Sequence, residues 1–263
     1  MKPAPGRANQ DGQSLGRVLD VLGLFSADRA RLSLSEVAEL LGWPVPTTHR
    51  VIATLVDRGF LVREPHTKQF RLGLGVIRLV APLLTSFQLP ELARPHLQSL
   101  SLHTGETVNL AILDGAEVLY LSSYPGRFRV RVDATPGARL SAHCTALGKC
   151  LLAQLGPEDA RRRLGPRPYA PMTPKTARTW EELTPRLDAA RSRGYAVSVD
   201  EYEVGLLSCA VPVRADIGLV AAINVAAPAM RVSPEALVET ILPQLQAAAT
   251  AVDRAGASHI EAA

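Results

Sequence analysis

Three features of this chain predict an α+β protein of two domains: an N-terminal winged helix-turn-helix, a linker helix, and a C-terminal antiparallel sheet packed with helices. Residues 1–86 read as short amphipathic helices followed by one hairpin, whereas residues 87–263 alternate apolar strands with helices. Between the two, "LGVIRLVAPLL" (Leu74–Leu84) is a strongly apolar helical segment, too short to span a bilayer. Charge divides at the same place. Residues 1–86 carry 11 Lys and Arg against 7 Asp and Glu, and the remainder carries 18 against 18, so the whole excess of +4 is amino-terminal. A small basic region joined to a larger neutral one suits a chain whose first part meets a polyanion and whose second part does something else.

At 263 residues, 47% hydrophobic and 21% charged, the chain is long enough for two modest cores. Residues 1–13, "MKPAPGRANQDGQ", lack apolar periodicity and are expected to form a mobile tail. They also lack the apolar run of a signal peptide, and no window reaches the roughly 18 apolar residues of a membrane span, which points to a cytoplasmic protein. Cys144, Cys150 and Cys209 are odd in number and show no C-x-x-C spacing, so they read as buried apolar residues rather than a disulfide or zinc framework.

Taken in order, Leu15, Val18, Leu19, Leu22 and Phe25 follow helical spacing and make a first amphipathic helix. In "LSLSEVAELLG", Ser33 or Ser35 is the N-cap, Ser33 and Glu36 have capping-box spacing, Val37, Leu40 and Leu41 form the apolar stripe, and Gly42 is the stop. Pro46 then opens a helix whose buried face is Val51, Ile52, Leu55 and Val56, ending at Gly59. Its first turn, Thr47, Thr48, His49 and Arg50, is polar, as in the second helix of a helix-turn-helix. "FLVREPHTKQFRLG" gives two short strands around a turn at Pro65–Lys68, the wing, and the apolar segment after it reads as a dimerising linker helix.

In the second half, a helix at about 90–104 leads into "VNLAILDGAEVLYLSS", two strands joined by the hairpin dipeptide Asp114-Gly115. "FRVRVDA" alternates and is expected to be a strand with Arg129 and Arg131 on one face. "TALGKCLLAQL" is a helix capped by Thr145, and "TWEELTPRLDAARSRG" is a charged amphipathic helix stopped by Gly194. Strands at "YAVSVD", "LLSCAVPVR" and "LVAAINVAA" follow, the last two separated by a turn at Asp216–Gly218, and a helix from Ser233 to about Ala255 closes the chain.

The chemistry of these motifs favours recognition over catalysis. Base edges in a major groove are read by side chains such as Arg, Ser and Thr, and phosphates are held by basic groups. Thr47, Thr48, His49 and Arg50 fit the first need, and Arg63, Lys68 and Arg71 on the wing fit the second. A winged helix used for protein contact is the alternative. His143 and Cys144 are chain neighbours that point apart in an extended segment, so they make no nucleophile and base pair. Asp200, Glu201 and Glu203 in "SVDEYEVG" have no histidine at ligand spacing and read as a solvated loop rather than a metal site. Neither a P-loop nor G-x-G-x-x-G is present, and Lys149 lacks the spaced glycines of a nucleotide site, so no cofactor is expected. A ligand cavity is the better reading. Ala146 and Leu147 offer N–H groups at the start of the Thr145-capped helix for a carboxylate, and Ser208 and Asn224 are small polar residues on apolar strands. Bonding of Ser208 and Asn224 to neighbouring backbone remains an equal alternative.

In this order the motifs "LSLSEVAELLG", "TTHRVIATLVDRGFLVRE", "FRLGLGVIRL", "CTALGKCLLA", "GYAVSVDEYEVGLLSCAVPV" and "AAINVAAP" resemble the IclR family of bacterial transcription regulators, from Leu15 to about Ala255. The resemblance implies a winged helix at 14–73, a linker helix at 74–88, a GAF-like effector domain at 89–255 and a tail at 256–263, assembled as a dimer or tetramer on operator DNA. It places Thr47, His49 and Arg50 on the recognition helix and Ala146, Leu147, Ser198, Ser208, Asn224 and Ala226 in the effector pocket. Pro46 stands where a serine cap is usual, Thr48 where a core aliphatic is usual, and Ala226 where a hydroxyl is common. "SAHCTALGKCLLA", "EVGLLSCAVPV" and "ILPQLQAAA" look most like the branch controlling aromatic-acid and β-ketoadipate catabolism, which implies an aromatic or dicarboxylic acid effector. A winged-helix interaction module and a small-molecule enzyme built on the second domain are the competing classes.

Overall fold

Local capping chemistry sets the first helices. The computed structural model describes residues 16–26, 29–86, 88–166, 168–214 and 220–260. The tail expected over residues 1–13, Leu15 and the turn expected at Asp216–Gly218 lie outside them. The chain divides into two units, Met1–Ser86 and Phe87–Ala263. In the first, α1 covers residues 16–23. α2 (Leu34–Leu41) starts at Ser33, whose hydroxyl accepts from Glu36 N while the Glu36 carboxylate accepts from Ser33 N, and it stops at Gly42 in the left-handed conformation. α3 spans Val45–Asp57, one residue earlier than expected, because Pro44 rather than Pro46 precedes its first turn. β1 (Leu61–Arg63) and β2 (Phe70–Leu72) form the antiparallel wing. Leu32 bridges to Phe70 from the other side. α4 is Leu74–Ser86.

The core of this unit is Val21, Leu32, Val37, Ile52, Leu55, Leu61 and Phe70. Two expectations are corrected here. Leu19, assigned to the buried stripe of α1, is 69% exposed and Val21 is fully buried, so the stripe is Val18, Val21 and Leu22, continued by Phe25 just past the helix, the same spacing three positions further on. Leu40 likewise faces outward and Ala38 inward on α2. Gly59, at φ +74°, closes α3 and receives the start of α4: Gly75 N donates to its carbonyl at 2.9 Å, and Cβ atoms at Gly73 or Gly75 would lie 2.4 or 2.8 Å from that oxygen. The turn that closes α3 and the start of α4 therefore meet backbone to backbone.

In the second unit α5 (Leu89–Thr104) precedes a six-stranded antiparallel sheet. β3 (Thr107–Asp114) and β4 (Glu117–Tyr124) form the expected hairpin, and β5 (Arg139–Ser141) is an edge. A 3-10 turn at Ala142–Cys144 leads into α6 (Ala146–Ala153), followed by α7 (Pro157–Leu164) and α8 (Trp180–Arg193). β6 (Ala196–Val199), β7 (Leu206–Arg214) and β8 (Val220–Pro228) complete the order β5-β4-β3-β8-β7-β6. α9 runs as Pro234–Ala236, a π turn Leu237–Ile241 and Leu242–Ile260, five residues past the expected end.

The segment "FRVRVDA" is not a strand. Residues 125–138 are irregular and are held by side chains: Thr107 Oγ1 donates to Val132 O at 2.6 Å and the Arg231 guanidinium to Val130 O at 2.7 Å. Arg231 also pairs with both Glu106 oxygens at 2.7 Å and lies over the Phe128 ring. Alternation alone does not make a strand, and this segment pairs with neither edge of the sheet.

The two faces of the sheet differ in side-chain size. Leu207, Cys209, Val211, Ile223 and Val225 pack with Val108 and Leu110 against α5 and α9. The opposite face carries Ala111, Ala210 and Ala222 under α6 and α8. α6 comes so close that a Cβ at Gly148 would lie 2.1 Å from Ala142 O and 2.3 Å from Ala142 Cα. Gly148→Ala is therefore expected to lower stability by about 3 kcal/mol through overpacking against backbone that cannot move aside, read as a fall in the thermal midpoint; an unchanged midpoint would show that the turn yields.

Candidate functional site

The exposed face of the first unit carries most of the polar residues expected there. His49, Arg50, Arg63, Lys68 and Arg71 are exposed, and Thr47 is half-buried. Lys68 sits at the wing tip with φ +58°, its N–H donating to Glu64 O. Glu64 accepts from Arg31 at 2.8 Å and lies 3.8 Å from Arg71, so one wing arginine stands beside a carboxylate. His49, Arg63 and Lys68 share a groove with Ser33 and Ser35 at the start of α2. Nothing in the sequence marks these two serines as groove residues, although the cap itself is legible.

Thr48 is the correction on this face. It is 0% exposed, and its hydroxyl donates to Pro44 O at 3.2 Å. The position is a core position, and the Thr48 side chain is closed to solvent.

In the second unit the small-residue face opens into a cavity of about 500 Å³. Ala146, Ser198, Ser208, Asn224 and Ala226 line it, drawn together from α6, β6, β7 and β8. Leu147 does not: its side chain is fully buried in the α6 core. Thr145 caps α6 by accepting from Gly148 N at 3.1 Å, which leaves the N–H of Ala146 without an intrahelical acceptor and the positive end of the helix dipole at the cavity wall. Ser198 donates to Cys144 O at 3.0 Å, and Asn224 donates to Ser208 Oγ at 2.8 Å. Asn224 and Ser208 thus bond side chain to side chain rather than to neighbouring backbone, whereas Ser198 bonds a backbone carbonyl. Apolar walls come from Tyr120, Leu140 and Val132. Asn109 and Tyr120 on the first hairpin, and the irregular segment carrying Val130–Thr135, were not anticipated as lining residues, because nothing local marks a position whose neighbour is on a distant strand.

The "DEYEVG" loop supplies another wall through Tyr202–Leu206, and it is not solvated throughout. Glu201 is 7% exposed and bonds the ammonium of Lys149, itself 2% exposed, and the guanidinium of Arg186. Lys149 also donates to Val197 O at 2.6 Å. Burial pushes the Lys149 ammonium below the ordinary lysine range, and the Glu201 carboxylate opposes that shift. Thr176 Oγ1 donates to Glu201 O at 2.6 Å, and Gly205 N donates to Asp200 Oδ1 at 2.7 Å while Asp200 holds φ +57°. One wall of the cavity is thus tied to the helix that forms another.

Nothing nucleophilic is activated here. Burial pushes the Cys144, Cys150 and Cys209 thiols up to about 12, and His143, whose imidazole is held below its ordinary value by burial, bonds Ala170 O at 3.0 Å. Among the described residues no His, Cys, Asp and Glu group could hold a metal, and no helix is long and apolar enough to cross a membrane.

A winged helix joined to a sheet domain with an internal small-molecule cavity defines a ligand-responsive DNA-binding regulator. The chain belongs to the IclR family. Its residues 81–254 match the bacterial transcriptional regulator IclR C-terminal domain, and residues 14–65 match the IclR helix-turn-helix domain. It is 32% identical over 244 residues to the HTH-type transcriptional regulator XynR of Escherichia coli K12, covering 92% of this chain and 96% of that one. Against the p-hydroxybenzoate hydroxylase transcriptional activator of Acinetobacter baylyi it is 34% identical over 238 residues, covering 88% and 87%. The crystal structure of an IclR homolog complexed with 4-hydroxybenzoate, from Microbacterium hydrocarbonoxydans, superimposes with a TM-score of 0.79 at 28% identity, covering 93% and 99%. These relatives are transcription regulators, and this chain is one too rather than an enzyme.

Replacing Lys149 by Met leaves Glu201 with Arg186 alone and is expected to cost about 3 kcal/mol in denaturant unfolding. The double variant Lys149→Met, Glu201→Leu recovers most of that loss, since Arg186 is about one-third exposed and reaches water. Equal losses in both would show that the pair is not the source.

Proposed function

We propose that the protein acts in the cytoplasm as a homodimer or tetramer that binds operator DNA through α3 and the wing and senses an aromatic organic acid in the α6 cavity. The observation that carries the ligand reading is the N-terminus of α6, with the Ala146 N–H, opening on a cavity with apolar walls. The Acinetobacter activator and the complex with 4-hydroxybenzoate support an aromatic acid over an aliphatic dicarboxylic one. On the DNA side, Thr47, His49 and Arg50 read base edges from the first turn of α3, and Arg63, Lys68 and Arg71 hold phosphates from the wing.

Self-association fits α4. Leu74, Ile77 and Leu79 are 74%, 58% and 66% exposed on this helix, and Leu74 and Ile77, one turn apart, offer an apolar face that pairing of two copies would cover. A ligand acts on such an oligomer only through its different affinities for two arrangements, and α4, seated on Gly59, carries any rearrangement to α3.

Arg50→Ala and Thr47→Ala should each weaken binding to an operator selected from random duplexes by about 1–3 kcal/mol, while Lys68→Ala flattens the salt dependence by about one charge. Unchanged affinity in both α3 variants, with the fold intact, overturns the recognition helix. Ser208→Leu should keep operator binding and lose the ligand response, and a normal response would move the pocket elsewhere. A thermal-shift screen of aromatic and dicarboxylic acids, in which a native-state ligand raises the melting temperature, tests the ligand class directly.

A further inference from the structure

The polar residues of the cavity wall form a relay with one group left over. Asn109 and Asn224 are paired across β3 and β8, and Ser208 lies beside them on β7. Asn109 Nδ2 donates to Asn224 Oδ1 at 2.9 Å, and Asn224 Nδ2 donates to Ser208 Oγ at 2.8 Å. Every donation runs the same way along the relay. Its first acceptor, Asn109 Oδ1, therefore has no relay member to serve it, and it is a buried atom without a hydrogen-bond partner in a residue that is 1% exposed. Asn109 lines the cavity. A buried carbonyl oxygen left unserved is costly, and native proteins supply a donor to nearly all such groups.

The surroundings narrow the donor. Ser208, Asn224, Ala226 and Tyr120 around the relay are neutral, and the cavity carboxylates Asp133 and Glu203 are exposed, so no buried charge is present to hold an ammonium. A neutral donor is required. A hydroxyl also accepts, so it serves the relay in either orientation of the two amides, whereas an ether oxygen only accepts. At another part of the wall the first turn of α6 faces the same space with an N–H and a positive dipole end.

We propose that Asn109 is a specificity-determining residue whose Oδ1 accepts a hydrogen bond from a hydroxyl of the bound ligand, which makes the ligand a hydroxylated aromatic acid. Its carboxylate lies at the start of α6 and its hydroxyl at β3. The inference rests on the acid reading of the same cavity and adds the second anchor. Sites built to hydrogen-bond a hydroxyl reject analogues that lack it far more strongly than apolar pockets reject a missing methylene, because the protein group is left buried and unpaired.

Isothermal titration of the full chain with 3- and 4-hydroxybenzoate, benzoate and the two methoxybenzoates tests this. One hydroxybenzoate should bind at least about tenfold tighter than benzoate and than its own methyl ether, and in Asn109→Ala that gap should shrink to about threefold or less as the hydroxyl loses its partner. Benzoate and the hydroxybenzoates binding equally to the natural chain overturns the inference and leaves the acid reading standing. A gap that persists in a folded Asn109→Ala also overturns it. Binding of none of the five removes the aromatic-acid reading and this inference together. Where Asn109→Ala does not fold, a crystal structure of the natural chain with the tighter hydroxybenzoate decides: the hydroxyl lies within hydrogen-bond distance of Asn109 Oδ1, or it lies on another group and the assignment fails.

Discussion

The inequality of the two sheet faces is the constraint from which the second unit follows. A strand sends alternate side chains to opposite faces, so β3, β7 and β8 can carry Leu, Val and Ile on one side and Ala, Ser and Asn on the other without any change of backbone. Bulky residues fill the layer between sheet and α5 and α9. On the other face the small residues Ala111, Ala210 and Ala222 let α6 pack directly on the sheet, but α6 is only eight residues long and does not cover the whole of it. The uncovered part, where Asn109, Ser208 and Asn224 lie, is the cavity. It exists because of side-chain size on three central strands, and the irregular segments around it only close its rim.

Those segments are placed by charged side chains together with a few backbone bonds, such as Gly137 N to Tyr120 O and Asp200 N to Leu206 O. Glu106 and Arg231 pin one end of residues 125–138, and Lys149, Glu201 and Arg186 pin the loop after β6. A buried ion pair is weak as a source of stability, since desolvation of both partners offsets most of their attraction. Its geometric effect is large, because either partner alone in that position would be an uncompensated buried charge. The loop from Asp200 to Leu206 therefore has one low-energy seat, and that seat sets the shape of the space a ligand meets.

What was legible in the sequence tracks how local each cause is. Ser33 with Glu36, Thr145 with Gly148, and Gly42 and Gly194 as helix ends all act within four residues, and they fall where the residue pattern puts them. The hairpin at Asp114-Gly115 belongs to the same class. "FRVRVDA" failed because a strand needs a partner edge, and the edge beside β4 is taken by β5. Leu19 and Val21 exchanged places because the apolar residues of α1 fit two helical phases, and only the packing of α2 and α3 selects one. In the cavity, Ser208 and Asn224 stood out as polar residues in apolar strands, and Ser198 was reached only through the family resemblance. Asn109 did not, although the bond that gives it meaning reaches a residue 115 positions away. Glu201, bonded 52 positions away, passed for a solvated carboxylate among its acidic neighbours for the same reason.

Three polar residues at core positions now separate by how their hydrogen bonds close. Thr48 turns its hydroxyl back to Pro44 O one helical turn earlier and is complete within α3, so it serves the helix and nothing outside. Lys149 is complete within the second unit, with Glu201 and Val197 O as acceptors, and it holds two walls together. Asn109 alone of the three is incomplete, and the gap faces a cavity. A buried polar side chain whose partners are all internal is a structural device. One that lacks a partner only on the side of an internal space carries a cost that nothing in the chain offsets, and a molecule entering that space removes it. By that criterion the same sheet face that creates the cavity supports the proposed ligand, with its carboxylate toward α6 and its hydroxyl toward β3.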